Sequence, residues 1–376
     1  MQMRVSRLRE TLKLIEPAVP RKPSLAILKS ILLKDGKAIA TDLNTAVICD
    51  LPEATETCLI PFDPVMKVID LVPGTEDSTI EVSGNNIKLS WPGGKAGYPT
   101  ANPLDFPDVN KKDPPIVVGE VDGNTLVNNI YPMRVYAATE ESRPVLKAVH
   151  LFFGEKMTAF AADGFRMVYQ TFPVSFGVEG HISIDTSTIE ILEYLWRKAP
   201  YIAPLSHTLI GALVAKRQMT MGVGNGGTEQ FQWVGFKFGR VKVLANLVVG
   251  TPPDYKQLIP TPTNKVKVMG TEFKQAILRT RDIAKANSDI VRLKWTENEM
   301  DVYASSEEMG EVEATIPVEA MDGPGHIALN IKYLSEYLEK KEGVVIFGTT
   351  NEKSPIMLNH GSDPTILLMP MAVTWD

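Results

Sequence analysis

Hydrophobic and polar positions follow the same order three times along the chain. Each repeat predicts an amphipathic helix, two apolar strands joined by a polar turn, a short strand that leads into a second helix, and a closing group of strands. A chance likeness between α+β segments explains one match, whereas three matches in one order indicate three similar domains. The paired strands are predicted at 25–33 and 38–49, at 145–153 and 157–171, and at 290–296 and 299–314.

The short strand and second helix of each repeat, predicted at 58–71, 181–196 and 326–340, align the repeats with one another. Ile60, Ile184 and Leu329 hold the equivalent position, where the strand ends and the helix begins. We expect an α+β fold with helices packed on antiparallel sheets. Polar or proline-rich seams are predicted at 110–115 and 260–264, so the three domains would be 1–115, 116–259 and 260–376.

The composition excludes several classes of protein. The chain has 376 residues, of which 44% are hydrophobic and 22% charged, as in ordinary globular domains. Its longest uncharged apolar runs, such as 205–215, are shorter than the ~20 residues that a membrane-spanning helix needs. The residues after Met1 contain no apolar stretch of a secretory signal, and Cys49 and Cys58 alone make no disulfide framework. We therefore expect a cytoplasmic protein.

The sequence contains only weak matches to known catalytic and cofactor-binding motifs. Residues 222–227 match G-x-G-x-x-G, but 228–234 alternate like a strand, which favours a hairpin loop over a dinucleotide site. The chain has no P-loop, and its five histidines are scattered singly. Glu140 and Glu141 form an acidic pair without further support from the sequence. The sequence therefore predicts no cofactor, no metal and no catalytic residue, with an NAD-dependent enzyme as the alternative.

Basic residues are concentrated on predicted helices, although the net charge of the chain is −6. Lys274, Arg281 and Lys285 fall on one line of a helix, and another face of it, with Phe273, Ile277 and Ala284, would pack on a sheet. Pro132 predicts that the first helix of the second repeat is kinked or shortened. A solvated face is the alternative for any single helix, but recurrence on several helices indicates one concentrated positive surface.

Short strings spread over the whole chain resemble the bacterial DNA polymerase III beta subunit, the replicative sliding clamp. Each string is modest, and their shared order and spacing make the resemblance specific. The strings are K-P-S-L-A-I-L at 22–28, A-T-D-L at 40–43, D-F-P at 105–107, R-P-V-L at 143–146, A-D-G-F-R-M at 162–167, P-D-Y-K-Q-L-I-P at 253–260 and M-P-M at 369–371.

The resemblance implies a head-to-tail homodimer that closes into a six-domain ring around duplex DNA, with helices lining the hole. Such a ring contacts phosphates without reading bases, tethers the replicative polymerase and requires an ATP-driven clamp loader. An accessory or mobile-element clamp with other partners is the nearest rival. The dimer interface would include Phe106 and Ile283. The DNA-facing residues would be Arg7, Lys13, Arg21, Lys22, Arg134, Arg197, Lys198, Lys274, Arg281, Lys285 and Lys332.

The family also has an apolar groove in which replication proteins insert a short peptide. This chain departs from the family in having Phe165 where a histidine is usual, Asp282 at a position that is apolar at the subunit interface, and residues 374–376 beyond the usual end. We expect Trp375 to cover the groove or to contact a bound peptide, unless it frays or packs on its own domain. The groove residues would be Leu146, Ala162, Gly164, Phe165, Arg166, Met167, Pro253, Leu258, Leu367, Met369, Pro370 and Met371.

Overall fold

The computed structural model divides the chain into two compact units. The first unit comprises Met1–Pro132, Leu151–Met157 and Pro173–Val249, and the second comprises Met133–His150, Thr158–Phe172 and Gly250–Asp376. The glycine-rich loop at 222–227, the seam at 110–115 and Glu141 lie outside the described residues. The structure describes residues 1–109, 116–122, 126–140, 142–173, 179–198, 209–216 and 231–375.

The elements follow the predicted order. The α-helices are α1 (Val5–Ile15), α2 (Phe62–Ile69), α3 (Thr186–Arg197), the single turn α4 (Tyr255–Leu258), α5 (Gly270–Ala286) and α6 (Ile331–Leu338). The strands up to residue 122 are β1 (Gln2–Arg4), β2 (Ser30–Lys34), β3 (Lys37–Thr41), β4 (Thr45–Asp50), β5 (Cys58–Pro61), β6 (Asp77–Ser83), β7 (Asn86–Trp91), β8 (Gly94–Pro99) and β9 (Ile116–Asp122). The next strands are β10 (Ala148–Phe153), β11 (Met157–Ala162), β12 (Arg166–Phe172), β13 (Gly180–Asp185), β14 (Leu209–Lys216), β15 (Phe231–Phe238) and β16 (Val241–Asn246). The last are β17 (Asn264–Met269), β18 (Ile290–Trp295), β19 (Glu299–Ser306), β20 (Gly310–Ala320), β21 (Gly325–Asn330), β22 (Val344–Thr349), β23 (Ile356–Asn359) and β24 (Thr365–Leu368).

The second member of each predicted strand pair is two strands, so the prediction of one long strand was wrong. In the first repeat, the Asp42 carboxylate accepts hydrogen bonds from the backbone N–H groups of Asn44 (2.9 Å) and Thr45 (2.7 Å) and closes a turn between β3 and β4. In the second, Asp163 closes the corresponding turn between β11 and β12. In the third, Gly310 at φ +81° begins β20 after the turn. Short polar turns inside apolar runs are hard to separate from the strand pattern around them.

In the first two repeats the first strand of the pair begins later than predicted, because a short 3₁₀ helix precedes it. Residues Ala26–Lys29 precede β2, and Pro144–Lys147 precede β10. The expected disruption around Pro132 is confirmed, since a π-turn at Leu126–Ile130 and a 3₁₀ helix at Tyr131–Tyr136 stand in place of a regular helix. Proline lacks the N–H that an α-helix interior requires.

The first unit is built on a sheet in the order β5-β2-β3-β4-β16-β15-β14-β9, beside a smaller sheet in the order β1-β6-β7-β8. The apolar side of α1, with Leu8, Leu12 and Ile15, is completely buried, as its spacing predicts. A second cluster includes Leu32, Ile48 and Phe106, the last contributed by the segment that follows β8. These aliphatic and aromatic side chains form the core of this unit.

The second unit contains a sheet in the order β11-β12-β24-β23-β22-β17-β20-β19-β18-β21. Helix α5 buries Phe273, Ile277 and Ala284, which confirms the predicted packing face. Lys274 ties α5 to α6, because its Nζ donates a hydrogen bond to the carbonyl of Glu339, the residue that ends α6 (2.6 Å). A cation at this position also complements the negative end of the helix dipole.

The repeats are joined through antiparallel strand pairs. In the first unit β4 of the first repeat pairs with β16 of the second, and in the second unit β12 of the second repeat pairs with β24 of the third. Within the described residues, the outer edge of β8 and the outer edge of β20 over 310–316 have no partner strand. By the alignment of the repeats, β20 corresponds to β4 and β12, and β8 corresponds to β16 and β24.

Candidate partner groove and basic helix surface

The predicted groove residues all belong to the second unit. Strands β12 and β24 pair in antiparallel register, with Arg166 opposite Leu368 and Met167 opposite Leu367. The pairing continues past the strands, because the N–H of Met369 donates to the carbonyl of Phe165 (2.8 Å). The structure therefore brings the 162–167 turn beside the 367–369 segment, as the resemblance implies.

Two large apolar side chains are exposed at this junction. The side chain of Phe165 is 59% exposed and that of Met369 is 42% exposed. Ala162, Met167 and Leu367 are buried behind them in the sheet. Exposed apolar groups placed together on a rigid strand pair are typical of a surface that binds a partner.

Gly164 shapes the turn between Asp163 and Phe165. Its φ of +96° lies in the left-handed region, and a Cβ added there would stand 3.1 Å from Nη1 of Arg143. Both observations favour glycine at this position. The turn is further fixed by Asp163, whose Oδ1 accepts hydrogen bonds from the N–H groups of Phe165 (2.9 Å) and Arg166 (3.0 Å).

Two loops supply the remaining predicted groove residues. Leu146 lies in the 3₁₀ helix Pro144–Lys147, and its carbonyl accepts a hydrogen bond from Ala138 N–H (2.8 Å). The segment around α4 is held by Tyr255, whose ring stacks on Phe160 with 5.0 Å between centroids. This packing leaves Leu258 exposed (43%) and Pro253 half-buried.

Arg166, one of the predicted groove residues, has its side chain engaged within the chain. Its guanidinium bonds to the carboxylates of Asp163 and Glu336 and donates from Nη2 to the carbonyl of Val135 (2.8 Å). It lies 5.1 Å from the ring centroid of Tyr136 and 4.4 Å from that of Tyr333. The side chain is 11% exposed, so peptide contact by Arg166 stays a prediction.

The cluster around Arg166 shifts the pKa values of its own members. Burial opposes the positive charge of Arg166, but the hydrogen bonds that its guanidinium donates to Glu336 and Asp163 outweigh this effect and raise the pKa of the guanidinium. Burial raises the pKa of Tyr136 to about 12, so its hydroxyl is neutral at physiological pH. The sequence reasoning missed Tyr136, Tyr333 and Glu336. The spacing of the last two on one side of α6 was the available signal.

A second polar cluster holds the end of α6. Nδ1 of His360 lies 2.9 Å from Oδ2 of Asp363, its Nε2 bonds to the carbonyl of Glu342, and Lys341 pairs with Asp363. Both partners of the imidazole are acceptors, so both bonds form only when the ring is protonated. The carbonyl of Glu342 and then the carboxylate of Asp363 raise the pKa of His360 above its ordinary 6.5.

We expect this cluster to make stability depend on pH. Because the folded pKa of His360 is above the unfolded one, the stabilisation is complete below about pH 6.5 and is lost as the pH rises through the folded value. Thermal unfolding should therefore show a larger loss for His360→Gln at about pH 6 than at about pH 9. Equal losses at both pH values would contradict a protonated imidazole.

The basic residues of the second unit are placed on helices. Arg281 and Lys285 are exposed on α5, and Nε of Arg281 lies 3.9 Å from Oδ1 of the neighbouring Asp282. Lys274 is half-buried by its bond to Glu339, and Lys332 is exposed on α6. The structure thus leaves Arg281, Lys285 and Lys332 with exposed cationic groups.

Several cations of the first unit are ion-paired. Arg7 lies 3.7 Å from Glu53, Lys13 lies 3.0 Å from Asp70, and Arg197 pairs with Glu193 one turn earlier on α3. Such exposed pairs contribute little stability and still leave positive charge near the surface. Among the other predicted DNA-facing residues, Lys198 lies over the ring of Tyr194, Arg21 and Lys22 are exposed, and Arg134 of the second unit is half-buried.

The two predicted interface residues differ in how much surface they offer to a partner. Phe106 is 7% exposed and packs in the core of its own chain, so it offers little surface to a partner. Ile283 is half-buried on α5 and lies opposite Lys274 around the helix. Because Lys274 binds the end of α6, Ile283 is on the flank away from α6, towards β20.

The tail segment, residues 369–375, does not cover the groove. Met371 N–H donates to the carbonyl of Ala328 in β21 (2.8 Å), and the ring of Trp375 lies against that of His326 with 4.3 Å between centroids. The hypothesis of a lid beside Phe165 was therefore wrong. The alternative, packing on its own domain, is what the structure shows.

Comparisons with known proteins agree with this architecture. Residues 256–372 match the family model described as DNA polymerase III beta subunit, C-terminal domain. The beta sliding clamp of Caulobacter vibrioides is 24% identical over 96% of each chain, and that of Synechococcus elongatus is 22% identical over 99% of this chain and 96% of its own. Residues 256–372 thus match a beta clamp domain, and the whole chain is similar to beta sliding clamps.

Solved structures share the clamp fold over almost the whole chain. The DNA polymerase III beta subunit of Pseudomonas aeruginosa superposes with a TM-score of 0.85 at 19% identity, covering 99% of this chain and all of its own. The beta subunit of Thermotoga maritima gives 0.81 at 21% identity, covering 99% of each chain. Another structure of the Pseudomonas aeruginosa clamp, with a TM-score of 0.83 at 19% identity, holds griselimycin and covers 99% of each chain.

In the part of the chain that the structure describes, His, Cys, Asp and Glu side chains form no group suited to hold a metal ion. No helix within the described ranges is long and apolar enough to cross a membrane.

Proposed function

We propose that the chain is a DNA sliding clamp. Two copies close head to tail into a ring around duplex DNA, and the ring tethers the replicative polymerase and other replication proteins through the groove. Its role is non-enzymatic, and an ATP-driven loader opens the ring. The buried free thiols Cys49 and Cys58 support a reducing, cytoplasmic location.

One observation carries the proposal. The two joints between repeats are antiparallel strand pairs, and the only edges left over in the described part of this pattern are those of β8 and β20. Pairing β20 of one chain with β8 of another repeats the same joint, and doing so twice closes two chains into a ring. Three clamp domains per chain, 1–115, 116–259 and 260–376, then make six.

The helices supply the DNA contact in this proposal. Arg281, Lys285 and Lys332 are exposed on helices that follow one another along the sheet of the second unit. Mobile cations attract the phosphate backbone without reading base sequence, which suits a ring that must slide. Retention of the clamp on DNA then depends on the closed ring more than on its affinity for DNA.

A charge-reversal variant tests the DNA contact. The triple change Arg281→Glu, Lys285→Glu and Lys332→Glu should weaken DNA binding. It should also reduce the slope of the logarithm of the binding constant against the logarithm of the salt concentration by about 2 to 3. Binding of duplex DNA is measured from low to moderate salt by fluorescence anisotropy.

The matched control reverses the same number of charges away from these helices, with Lys34→Glu, Lys37→Glu and Lys353→Glu, all exposed in strands or turns. The control should keep the salt slope of the unmodified chain. If both triple variants change DNA binding equally, the effect is one of net charge and the surface of α5 and α6 has no special part.

A further inference from the structure

The tail segment is fastened to the second unit at three points. Met369 N–H bonds to Phe165 beside the groove, and Met371 N–H bonds to Ala328 in β21. The ring of Trp375 then packs at a tilt against that of His326, the residue two positions before Ala328. The groove wall formed by Met369, Pro370 and Met371 is thus continuous with a short chain that ends in an aromatic anchor.

The same crossing of an edge strand occurs in the other two repeats. After β16, Val248 N–H donates to the carbonyl of Ser183 in β13 (2.9 Å), and after β8 the hydroxyl of Thr100 donates to the carbonyl of Leu59 in β5 (2.6 Å). In the alignment of the repeats, Leu59, Ser183 and Ala328 are equivalent, each one residue before the strand-to-helix junction. The path of the tail is therefore a repeated feature of the domain.

In the first two repeats the crossing segment continues and buries an aromatic ring. Phe106 is 7% exposed in the core of the first unit, and Tyr255 is 8% exposed against Phe160. In the third repeat, Trp375 on the segment that follows β24 is the nearest equivalent of these rings. A buried or stacked ring fixes the backbone that carries it, because ordering the side chain orders the main chain beside it.

The partner of Trp375 also has an equivalent. His181 corresponds to His326, and His181 stacks on Phe152 of the neighbouring strand with 5.4 Å between centroids. In the third repeat the residue paired with His326 on the neighbouring strand is Lys294, which offers no ring. Trp375 supplies the aromatic contact there, and Glu352, 3.2 Å from Nε2 of His326, holds the imidazole from another direction.

We propose that Trp375 is a positioning residue of the partner groove. Its ring contact with His326 holds the tail on β21 and so fixes Met369–Met371 in the geometry that a peptide meets. The proposal rests on the groove function proposed above. Without the contact between Trp375 and His326, the tail samples other positions. The apparent affinity of the groove for a peptide then falls in proportion to the fraction of molecules in which Met369–Met371 are in place.

Hydrogen exchange of the free full-length chain tests the anchor without any peptide. Trp375→Ala should accelerate exchange of the Met371 amide, which bonds to Ala328, while Trp375→Phe restores protection in part. Thr374→Ala, at the exposed neighbouring position, is the control that should leave exchange unchanged. Unchanged exchange in Trp375→Ala overturns the anchor.

Peptide binding tests the positioning role. A fluorescent Gln-Leu-Ser-Leu-Phe peptide should bind Trp375→Ala about 3- to 10-fold more weakly than the unmodified chain, and Thr374→Ala should bind it normally. His326→Ala should have the same effect, and the double variant should be no weaker than either single variant, because both remove one contact.

The outcomes separate the two proposals. Leu146→Ala, which removes groove surface itself, reports whether the groove is the binding site. If the unmodified chain binds no peptide, the groove function fails and the positioning role fails with it, while the exchange result still decides the anchor. If the unmodified chain binds and Trp375→Ala binds equally well or more tightly, the positioning role alone is overturned.

Discussion

Ile283→Asp should convert the proposed dimer into monomers. Ile283 is half-buried on the flank of α5 that faces away from α6 and towards β20, whose edge over 310–316 has no partner strand among the residues that the structure describes. In the proposed ring this flank meets the neighbouring subunit. Placing a carboxylate there without a partner costs several kcal/mol per interface, so the dissociation constant should rise by at least about 100-fold.

Light scattering over a range of concentrations measures this effect. The unmodified chain should have about twice the 41.4 kDa of one chain, and Ile283→Asp should have the mass of one. Leu278→Asp is the matched control, since Leu278 is 39% exposed on the same helix but lies near Lys274 on the other flank. If the unmodified chain is a monomer or a trimer, the proposed ring is wrong. If the Ile283→Asp variant is still a dimer, Ile283 is not part of the interface.

Arg166→Met should destabilise the second unit by about 2–4 kcal/mol, because it removes a nearly buried charge from its partners. The guanidinium connects the start of β12 with Val135 and Glu336 and lies against two tyrosine rings. Methionine fills much of the same volume but makes none of these bonds. Asp163 keeps its two backbone hydrogen bonds, which limits the loss.

The free energy of unfolding of the second unit is measured by denaturant unfolding, with amide exchange in that unit as the signal. Arg292→Met is the control, because Arg292 is half-buried in the same unit and its guanidinium lies 6.0 Å from the ring centroid of Tyr303. That change should cost less than about 1 kcal/mol. Equal costs for the two variants would mean that the bonds of Arg166 to Asp163 and Glu336 add no stability beyond packing.

Much of the architecture was determined by the sequence alone. Helical spacing placed Phe273 and Ile277 on the buried side of α5 and Lys285 on the exposed side, because the 3.6-residue period is a local property of the backbone. Proline chemistry disrupted the helix around Pro132 for an equally local reason. The strings at 162–167 and 369–371 indicated correctly that these segments meet.

The tertiary structure alone decided how individual side chains are used. Arg166 follows Phe165 directly, yet Phe165 is exposed beside the groove while Arg166 turns to Glu336, which is remote in sequence. Trp375 reaches His326 and not Phe165 because the tail follows the free edge of β21. These outcomes depend on contacts between residues far apart in the chain, and a hydrophobic pattern carries information about neighbours only a few positions away.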